Sequence, residues 1–168
     1  MTVEAPQGYE PGTPPVYDGG TPADHDALLK LYYDFRLAND GLDNEALRKV
    51  WSADSQHVYF NTNGHAYHGI DDWLHIWDHY RTRLRLVKPG GSGAIRITVR
   101  GDMALITDDD VGRYWEWMGA SQRPDFLVDK PYIRATQVCL KEKDGWRVMH
   151  AHFSSGRRGQ RPDQGGAE

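Results

Sequence analysis

The order of hydrophobic periodicities in this sequence predicts an α+β domain, and three observations carry that prediction. Leu28, Leu31, Tyr32 and Phe35 recur at spacings of three and four, the period of a helix with one buried face. Asn63-Gly64 stands between two short alternating runs, the strongest short-range mark of a β-hairpin. From Ala94 to Ser154 the period is two, interrupted by Gly101-Asp102 and Asp144-Gly145 turns. Helices first and a long meander last argue for an antiparallel sheet with helices packed on it, rather than alternating parallel units.

The elements follow in order. Residues 1–20 carry Pro6, Pro11, Pro14 and Pro15 among four glycines and are read as a flexible tail, although Tyr9, Val16 and Tyr17 give it something to bury. Thr21 can cap the first helix, Pro22 suits its first position, Asp24 falls where a capping-box acid sits, and Gly41 stops it. A short second helix starts at Asp43, with Leu47, Val50 and Trp51 on one face. Gln56 to Thr62 and His65 to His68 form the hairpin, and Gly69 ends it. A third helix opens at Asp71 or Asp72, buries Trp73, Leu74, Trp77, Tyr80 and Leu84, and breaks at Pro89-Gly90-Gly91. Strands are expected over 94–100, 104–117, 132–143 and 146–154, with a long loop around Pro124. The domain therefore spans 21–155, and residues 156–168, nearly devoid of apolar side chains, are a second tail.

Composition excludes several classes. With 20 basic against 24 acidic residues and no basic run, nucleic acid is not an expected partner. No stretch approaches the ~18 apolar residues of a membrane span, and Met1 to Gly20 lacks the form of a secretory signal. A single cysteine, Cys139, precludes an internal disulfide. A soluble cytoplasmic protein is the expectation.

Arg134-x-Thr136-x-Val138 followed by Asp144-Gly145-Trp146-x-Val148-x-His150-x-His152-x-Ser154 resembles the closing hairpin of the SnoaL-like, nuclear-transport-factor-like superfamily. It is most similar to the branch that includes the association domain of calcium/calmodulin-dependent kinase. The order of elements over residues 22–155 is similar too. The resemblance implies a cone: a curved antiparallel sheet wrapped around three N-terminal helices, with an internal pocket and dimers formed through the sheet. It implies nothing specific about activity, because this superfamily holds enzymes, binding domains and assembly hubs.

Candidate site residues come partly from that resemblance. It implies that a tyrosine near Tyr32 on the first helix contacts the ligand, that His68 before the third helix lines the pocket, and that an acid on the meander works in it. Asp108-Asp109-Asp110 interrupts an apolar run, and Asp109 is the chosen acid, with Arg134 as partner; a structural ion pair is the plain alternative. Tyr59 and Asn61 share one face of the first hairpin strand, and Trp77 and Tyr80 lie on the third helix. Arg134, His150 and His152 share one parity on neighbouring strands and suit an anionic oxygen, although Trp146 and Val148 have that parity too. His75 and His79 stand four apart, but no metal or other cofactor is expected.

These residues point to a cofactor-independent lyase or isomerase acting on a small aromatic or polycyclic molecule. His68, Asp109 and Tyr59 would be catalytic; Tyr32, Asn61, Trp77, Tyr80, Arg134, His150 and His152 would bind substrate. Dehydration, double-bond migration and retro-aldol loss of a small carbonyl such as formaldehyde all fit. The alternative is a non-catalytic ligand-binding or assembly domain, and a homodimer through the sheet is expected in either case.

Overall fold

The computed structural model describes residues 3–9, 12–124, 132–156 and 163. In chain order the elements are β1 (Thr13–Asp18), α1 (Pro22–Asp40), α2 (Asn44–Val50), β2 (Val58–Phe60), β3 (Ala66–His68), α3 (Gly69–Arg81), β4 (Leu84–Lys88), β5 (Ala94–Arg100), β6 (Met103–Asp108), β7 (Tyr114–Trp117), β8 (Ile133–Glu142) and β9 (Gly145–Ser155). Seven strands form one sheet in the order β1-β5-β6-β8-β9-β2-β3, while β4 and β7 pair separately. The architecture is the expected α+β arrangement of three helices on a large sheet. The centre of the sheet, β5-β6-β8-β9, is antiparallel as expected. Its flanks are not: β1 runs parallel to β5, and β2 parallel to β9, so the sheet is mixed.

Local chemistry explains most boundaries. Thr21 and Asp24 form a reciprocal capping box at α1, and the Asp24 carboxylate also accepts from Lys141 Nζ (2.8 Å) and Trp146 Nε1 (3.3 Å) on the β8–β9 hairpin. One acid thus caps the helix and ties it to the sheet. Gly69 opens α3 at φ 74°, where a Cβ would fall 3.0 Å from Ser55 Cα, so the turn out of the hairpin requires glycine.

Four sequence expectations are corrected. Residues 13–18, assigned to a tail, form an edge strand; its two prolines are tolerated because an edge strand pairs on one side only, and Arg100 Nη2 grips Asp18 at 2.7 Å. The third helix stops at Arg81, and Leu84, expected on it, begins β4. The long strand expected over 104–117 is two strands, broken at 109–113. The parity of β9 also changes along its length. Val138 faces His150 and Cys139 faces Val148, so Met149 is an extra residue, a β-bulge. Trp146 and Val148 before the bulge, and Ala151 and Phe153 after it, all face the core. The expected C-terminal tail lies almost wholly outside the described residues.

The core fills the space between the inner sheet face and the helices. Phe35 of α1 stacks on Phe153 of β9 (5.7 Å), and Trp51, Tyr59 and Trp73 meet one another edge-on or tilted at 4.6–5.6 Å. Burial of each such ring stabilises the fold by ~1.5–3 kcal/mol. Among the described residues, no helix is long and apolar enough to cross a membrane.

Candidate active site

The buried stripe of α1 does not stay apolar. After Tyr32 and Phe35 it continues with Arg36, Asn39 and Asp40, all buried. Opposite them lies Asp108, the last residue of β6, 1% exposed. Its Oδ1 accepts from the backbone N–H of Gly93 (2.9 Å) and of Asp110 (3.0 Å), and its Oδ2 accepts from the Tyr32 hydroxyl. These bonds explain why the strand ends here, since an aspartate that captures nearby N–H groups offers the backbone an alternative to the ladder. Burial, reinforced by the nearby Asp108 charge and opposed by Arg36, holds the Tyr32 phenol well above its ordinary pKa. Tyr32 therefore stays protonated at neutral pH and keeps donating.

Arg36 sits one helical turn beyond Tyr32. Its Nη2 donates to the Gly112 carbonyl at 2.6 Å, its Nη2 lies 4.0 Å from Asp40, and Tyr9 covers its guanidinium at 5.5 Å. Among the described residues, Nε and Nη1 have no hydrogen-bond partner. Burial opposes its charge, but Tyr32, Asp40, Tyr9 and Asp108 together hold its pKa above the ordinary value. The approach depends on Gly90, where a Cβ would fall 1.6 Å from the Gly112 oxygen and 2.7 Å from Arg36 Nη2.

A second buried guanidinium, Arg113, lies over the rings of Trp115 (5.3 Å), Phe153 (5.5 Å) and Phe35 (5.9 Å). With the Asn39 amide turned so that its oxygen faces Arg113, that oxygen accepts from Nη1 (2.9 Å) and Nη2 (2.8 Å). Burial, then repulsion from Arg36, lowers the Arg113 pKa to about 10. The interior thus holds two guanidiniums, two carboxyls and a phenol around one end of α1. Such a group can move a proton and stabilise a nearby negative charge.

The residues expected from sequence are dispersed. Tyr32 lies in this cluster. Tyr59 is fully buried among Trp51 and Trp73, and burial, helped by the charge of Asp54, pushes its pKa up. Trp77 is buried beside Trp73 and Trp115. Asn61 belongs to the hairpin turn, where its side-chain oxygen accepts from Thr62 Oγ1 at 3.0 Å. Tyr80 lines a cleft of about 490 Å³ between the hairpin and α3, together with Asn63, His65, Tyr67 and His79.

The remaining expected residues are outside. His68 ends β3 with an exposed side chain, and its backbone N–H donates to Asp72 at 2.8 Å. Asp109 is exposed and accepts from the Ala94 N–H at 2.8 Å; it makes no pair with Arg134, whose Nη2 donates weakly to the Ser155 carbonyl at 3.4 Å. His150 and His152 stand edge-on to Phe60 on the outer sheet face, and His150 Nδ1 bonds the Val58 carbonyl at 2.6 Å. The bulge at Met149 puts them there. None of the eight histidines is buried.

Arg36, Arg113 and Gln137 were not expected. Arg36 and Gln137 carried a usable signal: Arg36 continues the spacing of Leu28, Tyr32 and Phe35, and Gln137 alternates in step with Ala135 and Cys139.

Solved structures share this architecture. A protein proposed as a dehydratase of the NTF2-like family from Streptomyces avermitilis superposes with TM-score 0.62 at 18% identity, over 82% of this chain and 100% of that one. The fold is that of the NTF2-like proteins. A proposed calcium/calmodulin-dependent kinase II association domain from Exiguobacterium sibiricum gives TM-score 0.63 at 17% identity, over 84% and 100%. A proposed ketosteroid isomerase from Shewanella frigidimarina gives 0.53 at 18% identity, over 76% and 94%. No family model matches the sequence, and no curated protein matches it significantly. At these identities the NTF2-like likeness concerns the fold.

Proposed function

We propose that this chain is a cofactor-independent lyase or isomerase that works by proton transfer on a small aromatic or polycyclic molecule held inside the cone. One observation carries the reading: a protonated phenol, Tyr32, donates to a buried carboxyl, Asp108, beside a guanidinium whose Nε and Nη1 have no hydrogen-bond partner among the described residues. Asp108 is the base, removing a proton from carbon next to a substrate carbonyl. Arg36 donates to the carbonyl oxygen as it gains negative charge, where a fixed buried donor is worth more than one in water. Return of the proton at another carbon completes an isomerisation; loss of a β-hydroxyl completes a dehydration. The exposed His68 and Asp109 take no part in this scheme, and Tyr59 contacts substrate rather than moving its proton. The names of two structural neighbours, a dehydratase and an isomerase, are in keeping with the same chemistry.

The test is a panel of small aromatic and polycyclic ketones and hydroxyketones, screened by thermal shift and by product analysis. Ligands of the native state raise the melting temperature by mass action. Asp108→Asn keeps the shape of the site and is expected to lower turnover by roughly a hundredfold or more while a thermal shift persists. Unchanged turnover in that variant removes Asp108 from the mechanism.

A binding and assembly role is the second reading, and the outer sheet face favours it. Phe60 on β2 and Met103 and Leu105 on β6 are 42%, 49% and 39% exposed on that face, with β8 and β9 between them, and offer apolar contacts to a second copy. We propose a homodimer through it, in the cytoplasm; sedimentation at micromolar concentration distinguishes dimer from monomer.

A further inference from the structure

Gln137 is fully buried in the middle of β8, and among the described residues neither its Nε2 nor its Oε1 has a hydrogen-bond partner. A buried amide with nothing to bond is expensive, and native interiors hold few of them. This one is not isolated. In the sheet register Gln137 faces Ala151, and Ala151 faces Tyr59, so the amide and the Tyr59 phenol lie on one rung with only a methyl side chain between them. Among the described residues the Tyr59 hydroxyl also has no partner, nor do the indole Nε1 atoms of Trp51, Trp73 and Trp77. Those indoles and Tyr59 belong to one aromatic cluster, linked by ring contacts of 4.6–5.8 Å. Five side chains with unmet hydrogen-bonding capacity therefore surround the same apolar interior.

The cluster also adjoins a surface cleft. Tyr67 lines the cleft between hairpin and α3, where Asn63 Nδ2 holds its hydroxyl at 2.7 Å, and its ring packs edge-on against Trp73 at 5.4 Å. Trp73 in turn packs on Tyr59 at 5.6 Å. One rung further along the sheet lie Ala135 and Phe153, and Asp108 faces Ala135. A molecule entering past Tyr67 would meet Gln137 and Tyr59 before the Tyr32–Asp108 pair.

We infer that Gln137, with Tyr59, is the specificity element of the interior: it selects flat, uncharged ring molecules that bear a hydroxyl or carbonyl over plain hydrocarbons of the same shape. This rests on the reading that the cone holds a small molecule, but not on its being converted. An amide both donates and accepts, so it serves either group, and the aromatic walls supply burial for the ring. A charged ligand gains less, because an amide carries no charge to offset the cost of burying an ion.

The probes are naphthol and naphthalene, titrated by calorimetry into the full chain and into Gln137→Leu. The wild type is expected to bind naphthol roughly tenfold or more tightly than naphthalene, and Gln137→Leu to bind the two about equally. Without ligand, Gln137→Leu is expected to melt above the wild type, because it removes an unpaired buried amide at similar volume. Tyr59→Phe should shift both quantities the same way by less. Equal binding of the two probes by the wild type, binding of neither, an unchanged preference in Gln137→Leu, or a lower melting temperature for that variant each overturns the inference. Naphthol bound through Gln137, alongside no turnover on the ketone panel, would leave the inference standing and remove the catalytic reading.

Discussion

The inner and outer faces of the sheet both carry polar residues, and in the sequence they look alike. Arg134, His150 and His152 form the outer set; Asp108 and Gln137, facing the interior that also holds Arg36 and Arg113, form the inner one. Outside, water satisfies whatever the protein does not, and the cost of a polar group is small. Inside, each charge and amide must be bonded by protein or ligand, so the inner set shapes the backbone around it: Asp108 ends a strand, and Arg36 requires glycine at position 90. Polarity becomes informative only once the face is known, and on β9 one residue, Met149, decides the face.

That comparison can be broken most severely on β9. Deleting Met149 removes the extra residue and leaves Trp146, Val148, Ala151 and Phe153 on one face, whereas inserting one residue between Ala151 and His152 turns Phe153 to the outer face. Loss of the Phe153 ring from the core costs roughly 3 kcal/mol or more, and circular dichroism melts are expected to show the insertion variant strongly destabilised and the deletion variant folded. An insertion variant with a near-native melting temperature would show that the register of β9 does not decide which side chains face the core.

A smaller effect sharpens the comparison at the rim, where Asp24 joins α1 to β8–β9. Hydrogen bonds from Lys141 and Thr21 hold its carboxyl well below the usual carboxylate range. A depressed folded-state pKa stabilises the fold above the unfolded value, ~3.9, and that contribution is lost as pH falls through the folded value. Asp24→Asn should therefore lower the melting temperature at pH 7 and flatten its fall below about pH 4. Identical acid limbs for both proteins would contradict this assignment. Smaller still in its effect on stability is Cys139, whose thiol burial pushes up to about 12; it should stay unmodified by a thiol reagent at pH 8 until the protein unfolds.

Local chemistry made much of the fold legible. The α1 cap at Thr21, Pro22 and Asp24, the Asn63-Gly64 turn and the two meander turns depend on neighbours in the chain and are found where expected. What escaped depends on distant partners. β1 exists because β5 offers a free edge, and β4 because β7 lies opposite it. The acid in the interior is Asp108 rather than Asp109 because Ala104 and Ile106, with which Asp108 alternates, are the residues of β6 that face the core. Arg36 and Gln137 lay on buried stripes that the spacing marked, but polar side chains at core positions read as surface until their surroundings are seen.

The most direct test sets the two faces against each other in one assay. Asp108→Asn and the double variant His150→Ala, His152→Ala are compared with the wild type for turnover of any substrate found on the ketone panel, with melting temperatures as a check on folding. Asp108→Asn is expected to lower turnover by roughly a hundredfold or more, while the histidine pair leaves it within about threefold, since exposed substitutions away from a site change little. Full activity in Asp108→Asn, or its loss in the histidine variant with folding intact, would place the working centre on the other face of the sheet.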